Sequence, residues 1–309
     1  YRNSGIYDFG SDGICIMKIK PVTQVSEKER DYRFDNIKFI LIVLVVSGHI
    51  MELFKGVDIP YKIIYGFHMP AFIFVSGRFA RFDAKKVLCK LVIPYFIFQL
   101  IYQIFSGVVL KGSSPEIQFT TPYWILWYLL AIIAYYCLIP ILPKRENKIP
   151  AVALITIAFI AGLLTGYISS VGYYLSLSRI IVFLPFFLLG YYSSSLEKGK
   201  IIPSLLSRKI YIPLAIALAI MGSYVIVKLN IPRRILYGSY DYESGKGNLW
   251  MRLIIYMVAL IWIWMLRIVV SDKKIPFITR IGQNTLVIFL MHGFVVNISA
   301  INNYFKNLY

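Results

Sequence analysis

The sequence predicts an all-α polytopic membrane protein, a bundle of about nine to ten transmembrane helices, and three observations carry that prediction. The 309 residues are 58% hydrophobic and 16% charged, against about a quarter charged in a soluble domain. Several apolar runs approach the ~20 residues that carry a helix across a bilayer. Lysine and arginine gather in alternate connections between those runs. Lipid offers no hydrogen bonds to an exposed backbone, so the spans are expected to be helices.

Residues 1–35 are polar and irregular and are expected to form a cytoplasmic tail. The transmembrane domain then occupies 36–309, with spans predicted at 36–54, 63–80, 88–110, 122–142, 149–168, 179–196, 210–228, 249–270 and 282–302. Every second connection is basic. Arg78, Arg81, Lys85, Lys86 and Lys90 follow the second span, and Lys144, Arg145 and Lys148 follow the fourth. Lys198, Lys200, Arg208 and Lys209 follow the sixth, and Arg267, Lys273, Lys274 and Arg280 follow the eighth. The other connections are poorer in positive charge; 169–178 has none. This alternation predicts a multi-pass cell-membrane protein with a cytoplasmic N-terminus. It also accounts for the net charge of +18 without a nucleic-acid partner; the partner it implies is the lipid bilayer. Cys15, Cys89 and Cys137 form no C-x-x-C pair and give no disulfide framework.

The first span, NIKFILIVLVVSGHIMELF, carries Lys38, His49 and Glu52. An ionisable group in hydrocarbon costs about 2.5–3.5 kcal/mol at mid-helix, so each such residue is a functional candidate. Eleven steps of about 100° return His49 to nearly the helix face of Lys38, three turns and ~16 Å away. One helix therefore presents a cation near one membrane surface and an imidazole toward the other. Glu52 follows His49 at i+3, where a carboxylate reaches an imidazole on the same face and fixes its tautomer; its alternative place is the outer interface, in water. Lys38 either snorkels to headgroups or, with Arg33 upstream, binds an anion entering from the cytoplasm.

His68 and His292 lie in the second and ninth spans, and Arg78 closes the second at its cytoplasmic end. Arg179 opens the sixth span on the outer side, to bind a hydroxyl or anionic group of a substrate or to anchor on headgroups. Trp127 belongs to an aromatic-rich fourth span. Gln99 and Gln103, one turn apart in the third, read as interhelical glue. No H-E-x-x-H or Cys/His cluster suggests a metal, no phosphate-binding loop suggests ATP hydrolysis, and no G-x-S-x-G elbow is present.

With these residues in hand, RFDNIKFILIVLVVSGH resembles the opening motif of the integral-membrane acyltransferase type 3 family. There an arginine and a histidine on the first helix have ten residues between them; here the pair is Lys38 and His49. The lysine and the GH ending are similar to the fucose 4-O-acetyltransferase-like branch. FHMPAFIFVSGRF, KKVLCKLVIPYFIF, WILWYLLAI, RIIVFLPFFLLGYY and IGQNTLVIFLMHGF resemble further family segments in order, so the likeness covers residues 33–300.

The resemblance implies a ten-helix domain, so either one of the nine spans is two pieces or a tenth lies beyond Tyr309. It implies transfer of an acyl group, usually acetyl, from cytoplasmic acyl-CoA to a hydroxyl of a carbohydrate at the cell surface or wall. His49 is then the catalytic residue, as general base or as acyl carrier, with Glu52 beside it. Lys38, Arg33 and Arg78 attract the phosphates of CoA, and His68, Arg179, His292 and Trp127 shape the acceptor side. Lysine cannot make arginine's bidentate phosphate contacts. A transporter or flippase for a glycan or lipid-linked sugar would use the same polar residues, although no repeated halves are visible.

Overall fold

A computed structural model describes residues 31–198 and 208–306. The expected tail up to residue 30, Cys15 and Lys200 lie outside the described residues. Among the described residues, ten helices of eight residues or more follow in order: α1 Arg33–Met51, α2 Asp58–Phe79, α3 Ala84–Lys111, α4 Trp124–Ile141, α5 Lys148–Leu164, α6 Leu177–Lys198, α7 Arg208–Lys228, α8 Leu249–Val269, α9 Pro276–Gln283 and α10 Thr285–Lys306. Nine of them sit where the nine spans were expected, and strands are absent among the described residues.

Seven helices are long and apolar enough to cross a membrane, and the bent pair α9–α10 makes an eighth. The exception is α2. It carries Asp58, Lys62, His68 and Arg78 and is enclosed by α1, α6, α7 and α8. Its neighbours, rather than lipid, therefore meet its polar groups. The additional helix is α9, short and amphipathic, which occupies the end of the expected eighth connection and bends into α10 by 80°.

Local chemistry sets the ends. Asp83 caps α3 by accepting the Lys86 amide at 3.1 Å, and Asn248 caps α8 through the Met251 amide at 2.9 Å. Both fill donors that a helix start leaves unpaired. Pro185 interrupts the ladder of α6. In the turn before it, the carbonyls of Ile180 and Val182 accept the hydroxyls of Tyr135 and Tyr256 at 2.8 and 2.7 Å, which gives both hydroxyls an acceptor in a dry interior.

Two crossings hold the frame. At α2–α6 the backbones touch: a Cβ on Gly77 would collide with the carbonyl oxygen of Phe187, and one on Gly190 with that of Phe74. Small residues at such a crossing let dispersion forces act between main chains where no hydrophobic drive exists. At α1–α9, Asn36 donates to the carbonyls of Ser271 and Lys273 at 2.9 and 3.0 Å and accepts from Thr279 at 2.8 Å. Gln283 donates to Asp35 at 3.2 Å, and Gly282 lets α9 close on the Asp35 carbonyl. The start of α1 is thereby clamped.

At the His49 end, connections are pinned by buried polar groups. Arg252 is 1% exposed. It donates to the carbonyls of Gly162 and Tyr240 at 3.2 and 3.0 Å and lies over the Tyr242 ring, so carbonyl dipoles and an aromatic face replace its hydration. Gln99 and Gln103 bond backbone rather than another helix's side chains. Gln99 donates to the Gln118 and Thr121 carbonyls and accepts the Tyr123 amide at 2.8 Å; Gln103 bonds both backbone groups of Gln118. They draw the α3–α4 connection into the bundle and deliver Trp124, whose φ of +22° costs on the order of 1–3 kcal/mol for a non-glycine residue.

Candidate active site

His49, in the last turn of α1, faces a cavity of about 220 Å³ bounded by α1, α2, α4, α6, α10 and the α7–α8 connection. The imidazole is held on three sides. Trp124 meets it edge to face with ring centroids 4.6 Å apart. His292 stacks on it at 5.3 Å and 28°. Tyr65 places its hydroxyl 3.1 Å from Nδ1.

The hydrogen-bond directions fix the tautomer. Tyr65 spends its proton on Glu52 Oε1 at 2.7 Å, so toward His49 its oxygen accepts. Nδ1 must then carry the ring proton, and Nε2 is left with the lone pair. Glu52 Oε1 also accepts Tyr61 at 2.9 Å. Tyr61, its proton committed, accepts from Tyr237 at 2.7 Å. A chain of three phenols thus converges on one carboxylate, which lies 3.7 Å from His49 Nδ1. It stabilises positive charge on the ring, the condition a general base or nucleophile needs when it reacts through Nε2.

The other histidines follow the same logic. His68 pairs Nδ1 with the Ile64 carbonyl at 2.7 Å, and His292 pairs Nδ1 with the Phe289 carbonyl at 2.6 Å. A carbonyl only accepts, so both rings carry the proton on Nδ1. Nε2 of His292 is buried without a partner among the described residues. Tyr102 donates to the Leu290 carbonyl at 2.6 Å and so fixes the turn of α10 that bears His292.

At the opposite end of α1 the cations meet acids. Lys38 pairs with Asp35 at 2.8 Å and Arg33 with Asp272 at 3.2 Å. Arg78 bonds Glu197 at 2.9 Å and Ser193 at 2.7 Å, and Arg267 shares the same Glu197 oxygen. Among the described residues, no group of three His, Cys, Asp or Glu side chains is placed to hold a metal ion.

A family model described as an acyltransferase domain matches residues 31–308. The chain belongs to the acyltransferase type 3 family. The chain is 33% identical to the nodulation protein NolL of Sinorhizobium fredii (strain NBRC 101917 / NGR234) over 33% of this chain and 34% of that protein. It is 32% identical to the nodulation protein NolL of Mesorhizobium japonicum (strain LMG 29417 / CECT 9101 / MAFF 303099) over 32% of this chain and 33% of that protein. The match spans about a third of these relatives' length. No solved structure matches the chain.

Of the residues singled out in the sequence, His49, Glu52, His68, Trp127 and Arg179 line the same cavity. His292 stands behind it, stacked on His49. Lys38, Arg33 and Arg78 do not line it. Glu52 is no bare interfacial carboxylate, since it accepts two phenols. Sequence reasoning missed Tyr61, Tyr65, Tyr237 and the Arg267–Glu197 contact. A signal was present for two of them: Tyr61, Tyr65 and His68 are spaced to share one face of α2.

Proposed function

We propose that this acyltransferase moves an acetyl group from cytoplasmic acyl-CoA to a carbohydrate hydroxyl of a cell-surface or cell-wall glycan. The observation that carries the reading is His49, which lines the cavity with its Nδ1 hydrogen-bonded to Tyr65 and the lone pair left on Nε2. His49 is the catalytic residue and Glu52 its charge partner. His68, Trp127, His292 and Arg179 surround the acceptor.

Three turns along the same helix, Lys38, with Arg33 five residues upstream and Arg78 over the Phe34 ring at the same helix end, offers positive charge to the phosphates of CoA. The basic connections support a cytoplasmic position for that end and for the N-terminus. A thin pantetheine arm running beside α1 then brings the thioester to His49. Lys38 in place of arginine, with the GH ending, supports the fucose 4-O-acetyltransferase-like branch. Family membership favours this reading over a transporter or flippase.

The test is incubation of purified protein with radiolabelled acetyl-CoA, with and without candidate glycans, alongside His49→Ala. Label entering glycan or protein, and absent from the variant, is the expected result. No label from any donor with well-folded protein would sink the reading.

A further inference from the structure

We propose that Arg179 stabilises the oxyanion of the acyl transfer, a role that rests on the acyl-transfer reading above and sharpens it. Arg179 stands in the first turn of α6 and lines the cavity together with His49. Its Nε donates to the Tyr237 carbonyl at 3.1 Å. Its guanidinium lies between the rings of Trp127 and Tyr173, 5.0 and 5.3 Å from their centroids. These contacts hold the group without neutralising it. Among the described residues no carboxylate forms an ion pair with it. The lone acid lining the cavity, Glu52, is occupied by Tyr61 and Tyr65. Among the described residues lining the cavity Arg179 is the one guanidinium, and Arg145, Arg234 and Arg252, which bond carbonyls, do not line it. Arg179 alone brings an uncompensated cation to the reacting space.

Chemistry assigns that cation its task. The acceptor hydroxyl gives its proton to His49 Nε2 as its oxygen bonds to the thioester carbon. The π pair of the carbonyl moves onto the carbonyl oxygen, which becomes anionic. When C=O re-forms, the C–S bond breaks and the departing sulfur takes the proton from His49. Thioester and alcohol become ester and thiol. If the acyl group rests on His49 Nε2 on the way, the same oxygen carries the charge in both halves.

That oxygen needs a fixed donor in a water-poor site, the place where electrostatic stabilisation is strongest. The histidines cannot supply it. His68 spends its Nδ1 proton on a carbonyl, and His49 must keep Nε2 open. Tyr65 and Tyr237 direct their protons to Glu52 and Tyr61. The indole N–H groups of Trp124 and Trp127 are neutral. A guanidinium does not titrate, so Arg179 cannot serve as a base and acts only on negative charge.

The experiment compares Arg179→Met and Arg179→Lys with the wild type in detergent, using acetyl-CoA with a glycan acceptor and with a small alcohol. kcat and both KM values are measured. Arg179→Met is expected to lose about 10²–10³-fold in kcat, by the same factor for both acceptors, with both KM values nearly unchanged. Arg179→Lys should regain part of that loss, and it carries the test if the methionine variant does not fold. A raised KM for the glycan with kcat for the small alcohol intact would overturn the proposal and make Arg179 an acceptor-binding residue. Wild-type kcat in either folded variant would also overturn it while leaving acyl transfer standing. A wild type that turns over no acetyl-CoA would remove both readings together.

Discussion

Replacing Glu52 by glutamine isolates the electrostatic part of the site. The carboxylate oxygen lies 3.7 Å from His49 Nδ1, and at that distance opposite unit charges attract by about 4 kcal/mol at an effective dielectric of 20. The Glu52 side chain is 29% exposed, so water screens part of this. A remaining effect of about 1.5–2 kcal/mol on the charged imidazole corresponds to a fall of roughly 10–30-fold in kcat. Tyr65→Phe removes the hydroxyl that links the two groups and leaves the charge, so its effect should be smaller, several-fold, typical of one neutral hydrogen bond. Both act on the same ring. The double variant should therefore fall short of the product of the singles, with an interaction of about 1 kcal/mol in the mutant cycle. The assay is initial-rate acetyl transfer on protein of verified thermal stability. Strictly multiplicative losses, or a Glu52→Gln enzyme with wild-type kcat, would refute the argument that the carboxylate works through Tyr65 and His49.

Three further outcomes are expected. His49→Ala should lose at least ~10²-fold in kcat, the lower range of general-base catalysis, while His292→Ala loses less, because His292 touches the reacting ring only through its face; equal losses measured side by side would contradict that ranking. Lys38→Glu should raise the KM for acetyl-CoA far more than the acceptor KM, with Lys38→Arg close to wild type; an unchanged donor KM would make Lys38 a partner of Asp35 alone. In a background without native cysteines, an impermeant thiol reagent added to intact cells should label Ser114→Cys and not Lys86→Cys, and the reverse pattern would overturn the N-in topology.

What was legible in the sequence was what lies along one helix. The turn-spacing of Lys38, His49 and Glu52 follows from helix geometry, and α1 presents them as that spacing requires. Span positions were legible because apolar length and loop charge are local. The phenol chain was not, although Tyr61 and Tyr65 are nine and thirteen residues from Glu52. Its existence depends on how α2 rotates against α1, and no periodicity reports that. Arg78 and Glu197 stand 119 residues apart and meet through the α2–α6 crossing. Gln99 and Gln103 read as glue between helices because their spacing is helical. Their real partners are the carbonyls and amides of the connection that carries Trp124, visible only once that connection turns inward. α2 illustrates the limit from the other side: its charges argue against lipid, and only the surrounding helices show why a polar helix sits at the centre.

The close backbone approach of Gly77 to Phe187 and of Gly190 to Phe74 has a mechanical consequence. It is a fulcrum. From it, α2 runs nine residues to His68 and α6 runs eleven to Arg179, arms of ~14 and ~16 Å. A methyl group wedged into the crossing would have to be relieved by spreading or tilting the two helices. A tilt of about 5° displaces the far end of the longer arm by ~1.4 Å, and misplacing a reacting group by ~1 Å can cost 10²-fold in rate. Two glycines about two turns from the nearest cavity-lining residues of their helices thus set its width, and a variant there can disable the chemistry while the helices still insert and the reacting residues all remain.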